Sequence, residues 1–162
     1  MRPYLGMFFT LATLIIFGIG LATHTGAAPM KAQAAAPATV DKAILGQGVS
    51  ALDPHRVLLL QRRTFAPGSD SGSHPAAGPT VLYVDSGTIE FGVDTGAALL
   101  TRNGETKATS ITDGERVALE AGDAIFYDEG VVHDVANPNS NPGVTLEARF
   151  NPNDASPATP QP

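Results

Sequence analysis

Apolar residues occur in short runs along the central part of the chain, and Gly, Pro, Asn and Asp separate these runs. Ile89, Phe91 and Val93 alternate with small or polar residues, which is the period of a strand that buries one face. No run of helical spacing follows the N-terminal apolar segment. The pattern predicts strands over residues 56–65, 80–85, 88–93, 98–101, 115–120, 124–127, 131–136 and 144–150. We therefore expect an all-β domain that closes as a small barrel of jelly-roll type.

Turn dipeptides separate several of these strands. Ser86-Gly87 lies between residues 80–85 and 88–93, so we expect these two strands to fold back on each other as a hairpin. Asn103-Gly104 follows residues 98–101 and is the dipeptide most typical of a tight hairpin turn.

The last predicted strand has two faces of different character. Alternation places Leu146, Ala148 and Phe150 on one face, and Glu147 with Arg149 on the other. We interpret the face with Glu147 and Arg149 as an exposed pair of charges.

The N-terminal segment has the features of an export signal. Arg2 precedes the apolar residues 7–22, and small residues follow at 25–27 and 32–34. We interpret residues 1–34 as a signal peptide and expect the protein to be exported, to the cell envelope or the medium. The alternative is an uncleaved membrane anchor, although this apolar run is shorter than the about 20 residues of a spanning helix.

The rest of the chain divides into three parts by composition. Residues 35–45 are rich in Ala and are interpreted as a flexible spacer, and residues 46–150 form the folded domain. Residues 151–162 are rich in Pro and polar residues, so we expect a disordered tail.

Composition limits the chemistry and the partners. The 162 residues are 43% apolar, which suits one packed core. The chain has no Cys, which excludes disulfides and thiolate sites, and its formal net charge is −6 with scattered Lys and Arg. A nucleic acid would be repelled by this charge. Contact with a membrane is expected only through the N-terminal segment, if it is retained.

Two stretches that contain glycines at fixed positions carry a recognisable spacing. In the first stretch, Gly68 precedes His74 by six positions, Ala76 and Thr80 follow, and Gly87 closes the stretch. This is the spacing G(X)5HXH(X)3,4E(X)6G, with Ala76 in place of the second histidine and Thr80 in place of the glutamate. An alternative register makes His74 the second histidine, with an insertion at Ala76-Ala77, and it also leaves one imidazole.

The second stretch has the spacing G(X)5PXG(X)2H(X)3N. Gly122, Gly130, His133 and Asn137 match it, and Asp128 stands in place of the proline. Both spacings, in this order and within an all-β pattern, resemble the motifs of the cupin superfamily.

The resemblance implies a small β-barrel that binds a divalent metal through two His and a Glu of the first motif and a His of the second. His74 and His133 occupy two of these four positions, and the other two ligands are missing. Metals of this kind usually need three or more strong donors, so a site made of these two histidines would be weak. A divalent metal is therefore expected to bind weakly or not at all, unless another strand supplies a carboxylate.

Several side chains near the two motifs are candidates for a ligand pocket. Asp128, Glu129 and Asp134 flank His133 in the sequence, and such acids would raise its pKa or pair with it; the alternative is that they are solvated. No catalytic residue is assigned. The pocket candidates are His74, Thr80, Tyr83, Tyr127, His133 and Asn137.

We interpret the protein as an exported binding module for a small polar or carbohydrate-type ligand, with a partly eroded metal site, rather than as an enzyme. The first alternative is a metal-dependent enzyme of the dioxygenase or isomerase type that uses His74 and His133. The second is a structural dimeric barrel without a ligand. Pairing of such barrels through their sheets predicts a homodimer.

Overall fold

The computed structural model describes residues 38–153, and these residues form eleven strands and no helix. The predicted signal peptide, residues 1–34, and most of the predicted tail lie outside the described residues. Within residues 38–153 we find no helix with the length and hydrophobicity needed to cross a membrane. The strands are β1 Val40–Ser50, β2 Asp53–Phe65, β3 His74–Pro75, β4 Thr80–Ser86, β5 Thr88–Thr95, β6 Ala97–Thr101, β7 Thr109–Thr112, β8 Arg116–Glu120, β9 Ala124–Tyr127, β10 Val132–Ala136 and β11 Gly143–Pro152.

The strands form two antiparallel sheets. The larger sheet has seven strands in the order β1-β2-β11-β4-β9-β6-β7, and the smaller has four in the order β3-β10-β5-β8. Leu82 and Val84 of the larger sheet, and Ile89, Phe91 and Val93 of the smaller, are buried. The predicted fold class, an all-β jelly roll, is confirmed.

The predicted hairpin around Ser86-Gly87 is wrong. β4 pairs with β9 and β11, whereas β5 pairs with β8 and β10 in the other sheet. The short link therefore passes from one sheet to the other. The Ser86-Gly87 dipeptide does mark a turn between β4 and β5. Both strands bury an apolar face in the shared core, but they do not pair with each other. The Asn103-Gly104 turn does lie in a hairpin, between β6 and β7.

Strands β1, β3 and β7 lack the apolar pattern by which the others were predicted. β1 begins at Val40, so residues 40–45, which we assigned to the spacer, belong to the larger sheet. Its side chains after Val40 are exposed, and the strand is held by its long antiparallel pairing with β2. At the other end, β11 extends to Pro152, two residues into the predicted tail.

Candidate functional site

The two motif stretches run side by side, in antiparallel directions. The backbone N–H of Gly68 donates to the carbonyl of Asn137, and the N–H of Asn137 donates to the carbonyl of Ser69, both at 2.8 Å. Further along, β3 pairs with β10, and His74 lies opposite His133. Residues that are far apart in the sequence thus form a single site.

His133 lies in a cluster of aromatic rings inside the barrel. Only 1% of its surface is exposed. The centroid of its ring is 4.3 Å from that of Tyr127, 4.6 Å from that of His74 and 5.4 Å from that of Phe91. His74 is only partly buried, so it connects this cluster to the surface.

Backbone contacts determine which nitrogen of each histidine carries the proton. Nδ1 of His74 lies 2.8 Å from the carbonyl oxygen of Gly72, and Nδ1 of His133 lies 3.2 Å from that of Val131. A carbonyl oxygen only accepts hydrogen bonds, so each neutral ring donates through Nδ1. Nε2 of each ring is then a hydrogen-bond acceptor for a ligand.

The interior keeps His133 and Tyr127 uncharged. Burial lowers the pKa of His133 below its usual value, and the nearby His74 lowers it further. Burial and the charge of Glu147 raise the pKa of the Tyr127 hydroxyl well above its usual range. Both side chains therefore offer neutral hydrogen-bonding groups at neutral pH.

The acids next to His133 in the sequence do not pair with it. Asp134 forms a bidentate ion pair with Arg116, at 2.7 and 2.8 Å, and points to the opposite side of β10. Glu129 contacts Arg56, and Asp128 accepts a hydrogen bond from the backbone N–H of Glu129. The prediction that these acids raise the pKa of His133 is wrong, because desolvation of the ring dominates.

We expect His133 to make the stability of the fold depend on pH. Below its usual pKa of 6.5, the unfolded chain binds a proton that the folded chain does not. The free energy of unfolding should therefore fall as the pH falls below 6.5, by at most about 1.4 kcal/mol per pH unit, and level off below the folded pKa. Urea denaturation down to about pH 5 measures this slope.

His133→Gln should remove this part of the slope, whereas His55→Gln, at an exposed position of β2, should retain it. Identical slopes in the wild type and in His133→Gln would contradict the prediction.

The donors at this site do not fit the metal that the cupin resemblance implies. His74 and His133 stand at two of the four ligand positions, and Ala76 and Thr80 stand at the other two. No group of three or more His, Asp or Glu side chains within residues 38–153 is arranged to hold a metal ion. The Thr80 hydroxyl donates instead to the carbonyl of Gly78, at 3.0 Å.

Glu147 and Arg149 are inside the barrel, contrary to the interpretation from the sequence. Glu147 accepts hydrogen bonds from Gln61 at 2.7 Å and from Arg63 at 3.1 Å. Its side chain is 0% exposed, and those of Arg63 and Arg149 are 4% and 15% exposed. The apolar residues that alternate with them in β11 face outward. We call Gln61, Arg63, Glu147 and Arg149 the charged cluster.

The other pocket candidates have different surroundings. Thr80 and Tyr127 are buried opposite each other in the β4–β9 pair. Tyr83 is 41% exposed on the outer face of the same sheet, so it does not line the interior. Asn137 is buried, but its side-chain N–H groups donate to the carbonyls of Phe65 and Asn141 and its oxygen accepts from Asn139. It therefore closes a turn and has a structural role.

Comparisons by sequence find no relatives: no protein-family model matches the chain, and no curated protein is similar to it. Comparison by structure does find similar folds. A cupin superfamily protein from Desulfitobacterium hafniense is 16% identical with a TM-score of 0.46, over 70% of this chain and 78% of that one. The EutQ protein of Clostridium difficile is 15% identical with a TM-score of 0.48, over 73% and 71% of the two chains.

A cupin domain of an XRE family transcriptional regulator from Enterobacter cloacae is also similar. It is 18% identical with a TM-score of 0.44, over 69% of this chain and 95% of that one. The fold that the resemblance to cupins implies is confirmed, since the described residues form an all-β jelly roll of two antiparallel sheets.

Proposed function

We propose that this cupin-like domain is a binding module that holds a small polar ligand inside the barrel. The buried polar groups there carry the proposal. Four polar side chains are buried on the neighbouring strands β2 and β11: Gln61, Arg63, Thr145 and Glu147. Apolar side chains at these positions would pack without the cost of removing charges from water. A polar ligand that uses these groups gives a reason for their presence. The Nε2 atoms of His74 and His133 and the hydroxyl of Tyr127 add further hydrogen-bonding groups.

We also propose that the protein is exported, since the apolar residues 7–22 follow a basic residue in the manner of a signal peptide.

A thermal-shift experiment tests the binding proposal. Any ligand that binds only the folded chain raises its melting temperature. We expect a rise with at least one compound in a panel of sugars, polyols and small organic acids. Tyr127→Phe removes a hydroxyl inside the barrel and should reduce that rise, whereas Tyr83→Phe removes one on the outer face and should not. A panel without any rise would contradict the proposal.

The alternative is a metal-dependent enzyme with His74 and His133 as ligands. The donors described above favour the binding module, because Glu147, a carboxylate inside the barrel, is already engaged by Gln61 and Arg63. We expect the untagged protein, equilibrated with zinc and desalted, to retain far less than one ion per chain. Stoichiometric zinc that is lost in His133→Gln would favour the enzyme.

We further propose that a second copy of the chain covers the outer face of the larger sheet. A row of exposed apolar side chains crosses five neighbouring strands in register; we call Leu60, Ala148, Val81, Phe126 and Leu99 the outer row. Exposed apolar patches of this kind mark interaction surfaces. The outer row has no carboxylate, so two copies of this acidic chain can meet there without repulsion. A two-fold axis would pair the row with itself, sheet on sheet.

Analytical ultracentrifugation tests this pairing. We expect a dimer for the wild type and a monomer for Phe126→Asp, which places a charge in the centre of the outer row. Leu52→Asp is the matched control, because Leu52 is 98% exposed and lies outside the row, in the turn between β1 and β2. A monomeric wild type, or a dimer that survives Phe126→Asp, would contradict the proposal.

A further inference from the structure

The charged cluster inside the barrel contains more positive than negative charge. Nη1 of Arg63 lies 3.1 Å from Oε1 of Glu147, and Nη1 of Arg149 lies 3.9 Å from Oε2. Gln61 donates to the same Oε2 at 2.7 Å. One carboxylate thus faces two guanidinium groups. Within residues 38–153, no second carboxylate lies at ion-pair distance from either arginine.

The neighbouring side chains do not balance this charge. Tyr127 would have to lose its proton to do so, but burial and the charge of Glu147 raise its pKa. His133 could only add positive charge, and its lowered pKa keeps it neutral. A buried charge without a counter-ion is costly, so the cluster favours an anion.

Hydrogen-bonding groups in the cluster and next to it are also without partners. Nε of Arg63, Nε of Arg149 and Oγ1 of Thr145 are buried and make no hydrogen bond. Buried polar atoms in proteins are almost always paired. Arg63 is almost completely buried, and its guanidinium lies over the ring of Phe65, 4.9 Å from the centroid, which restricts its position. Each of the two arginines therefore has an N–H donor available to an acceptor.

We propose that the barrel binds a small monocarboxylate that carries hydroxyl groups, with Arg63 and Arg149 as the residues that hold its carboxylate. This inference rests on the binding function proposed above and specifies its ligand. One negative charge balances the cluster, and its oxygens accept hydrogen bonds from the free arginine donors. The hydroxyl groups of the ligand donate to Nε2 of His74 and His133, which are acceptors in the neutral rings.

Calorimetric titration of the full chain with matched pairs of compounds tests the proposal. The acids are lactate, glycerate and gluconate, and their neutral counterparts are lactamide, glycerol and sorbitol. We expect at least one acid to bind, and its counterpart to bind much more weakly. Arg149→Leu should weaken binding of that acid by about 10- to 100-fold, the size of a lost hydrogen bond to a charged group.

Two further variants separate the role of the charge from changes in folding. Arg149→Lys keeps the positive charge but lacks Nε, so it should bind the acid more tightly than Arg149→Leu and less tightly than the wild type. Arg62→Leu removes an exposed arginine from the outer face of β2, and binding should be unchanged. Circular dichroism confirms that each variant is folded before it is titrated.

The outcomes distinguish this inference from the binding function on which it rests. If neutral polyols bind as well as the acids, or if binding is the same in Arg149→Leu, Arg149→Lys and the wild type, the inference is wrong and the binding function stands. If no compound binds here and none raises the melting temperature in the larger panel, both proposals are wrong.

Discussion

Glu147→Gln should lower the free energy of unfolding by about 3–5 kcal/mol, measured by urea denaturation in the absence of ligand. The replacement has almost the same shape as glutamate but carries no charge. It leaves the buried guanidinium of Arg63 without a counter-ion, and it removes the only carboxylate near Arg149 in the described residues. The loss arises from the buried positive charges that remain without a counter-ion. An intact buried ion pair contributes little to stability compared with apolar packing.

Glu129→Gln is the matched control for this prediction. The change is chemically identical, and Glu129 contacts Arg56 at 2.7 Å, closer than the 3.1 Å between Glu147 and Arg63. The side chains of Arg56 and Glu129 are 30% and 47% exposed, so water solvates either charge when the pair is broken. We expect a loss of at most about 1 kcal/mol. Equal losses in the two variants would show that burial does not determine the effect.

The charged cluster also shows where sequence patterns are insufficient. Alternation in β11 correctly separates two faces, but it does not say which face is inside. We placed the more apolar face inside, as is usual for a soluble domain. In the structure the barrel interior is partly polar, and the apolar residues of β11 contribute to the outer face, where Ala148 belongs to the outer row.

One sequence signal favours the observed orientation. Gln61 and Arg63 alternate with Leu60 and Arg62 in β2, just as Glu147 and Arg149 alternate with apolar residues in β11. Glu147 can pair with Gln61 and Arg63 only if these strands are neighbours. β2 and β11 are about 80 residues apart in the sequence and their pairing depends on the whole topology, so this signal is informative only once the strand order is known.

The spacing of the two motifs was more informative about which residues lie together. It implied that His74 and His133 share one site, and the pairing of β3 with β10 places their rings 4.6 Å apart. The reason is that both motifs contain glycines with positive φ, where only a few residue types fit: Gly68, Gly87, Gly122 and Gly130. The motifs thus specify the positions of turns, and the turns determine which strand ends lie next to each other. They do not describe the pairing of the strands, and so Ser86-Gly87 was taken for a hairpin.

Gly87→Ala should lower the free energy of unfolding by about 2–4 kcal/mol. Its φ of +76° lies in the left-handed region, where a Cβ atom costs about 1–2 kcal/mol. In addition, a Cβ at this position would lie 2.5 Å from the carbonyl oxygen of Pro142 and 3.1 Å from Cα of Gly143. Both are backbone atoms, so a rotation of a side chain cannot relieve the overlap.

Gly104→Ala separates the two contributions. Gly104 has nearly the same φ, +78°, but a Cβ there would have no atom within 4 Å. We expect it to cost about 1 kcal/mol, from backbone strain alone. The excess loss in Gly87→Ala then measures the contact between the β4–β5 link and the backbone at Pro142, which brings the two sheets together at this corner. Equal losses of unfolding free energy in Gly87→Ala and Gly104→Ala would mean that the segment at Pro142 moves aside without cost. Backbone conformation would then be the sole reason for glycine at the end of the first motif.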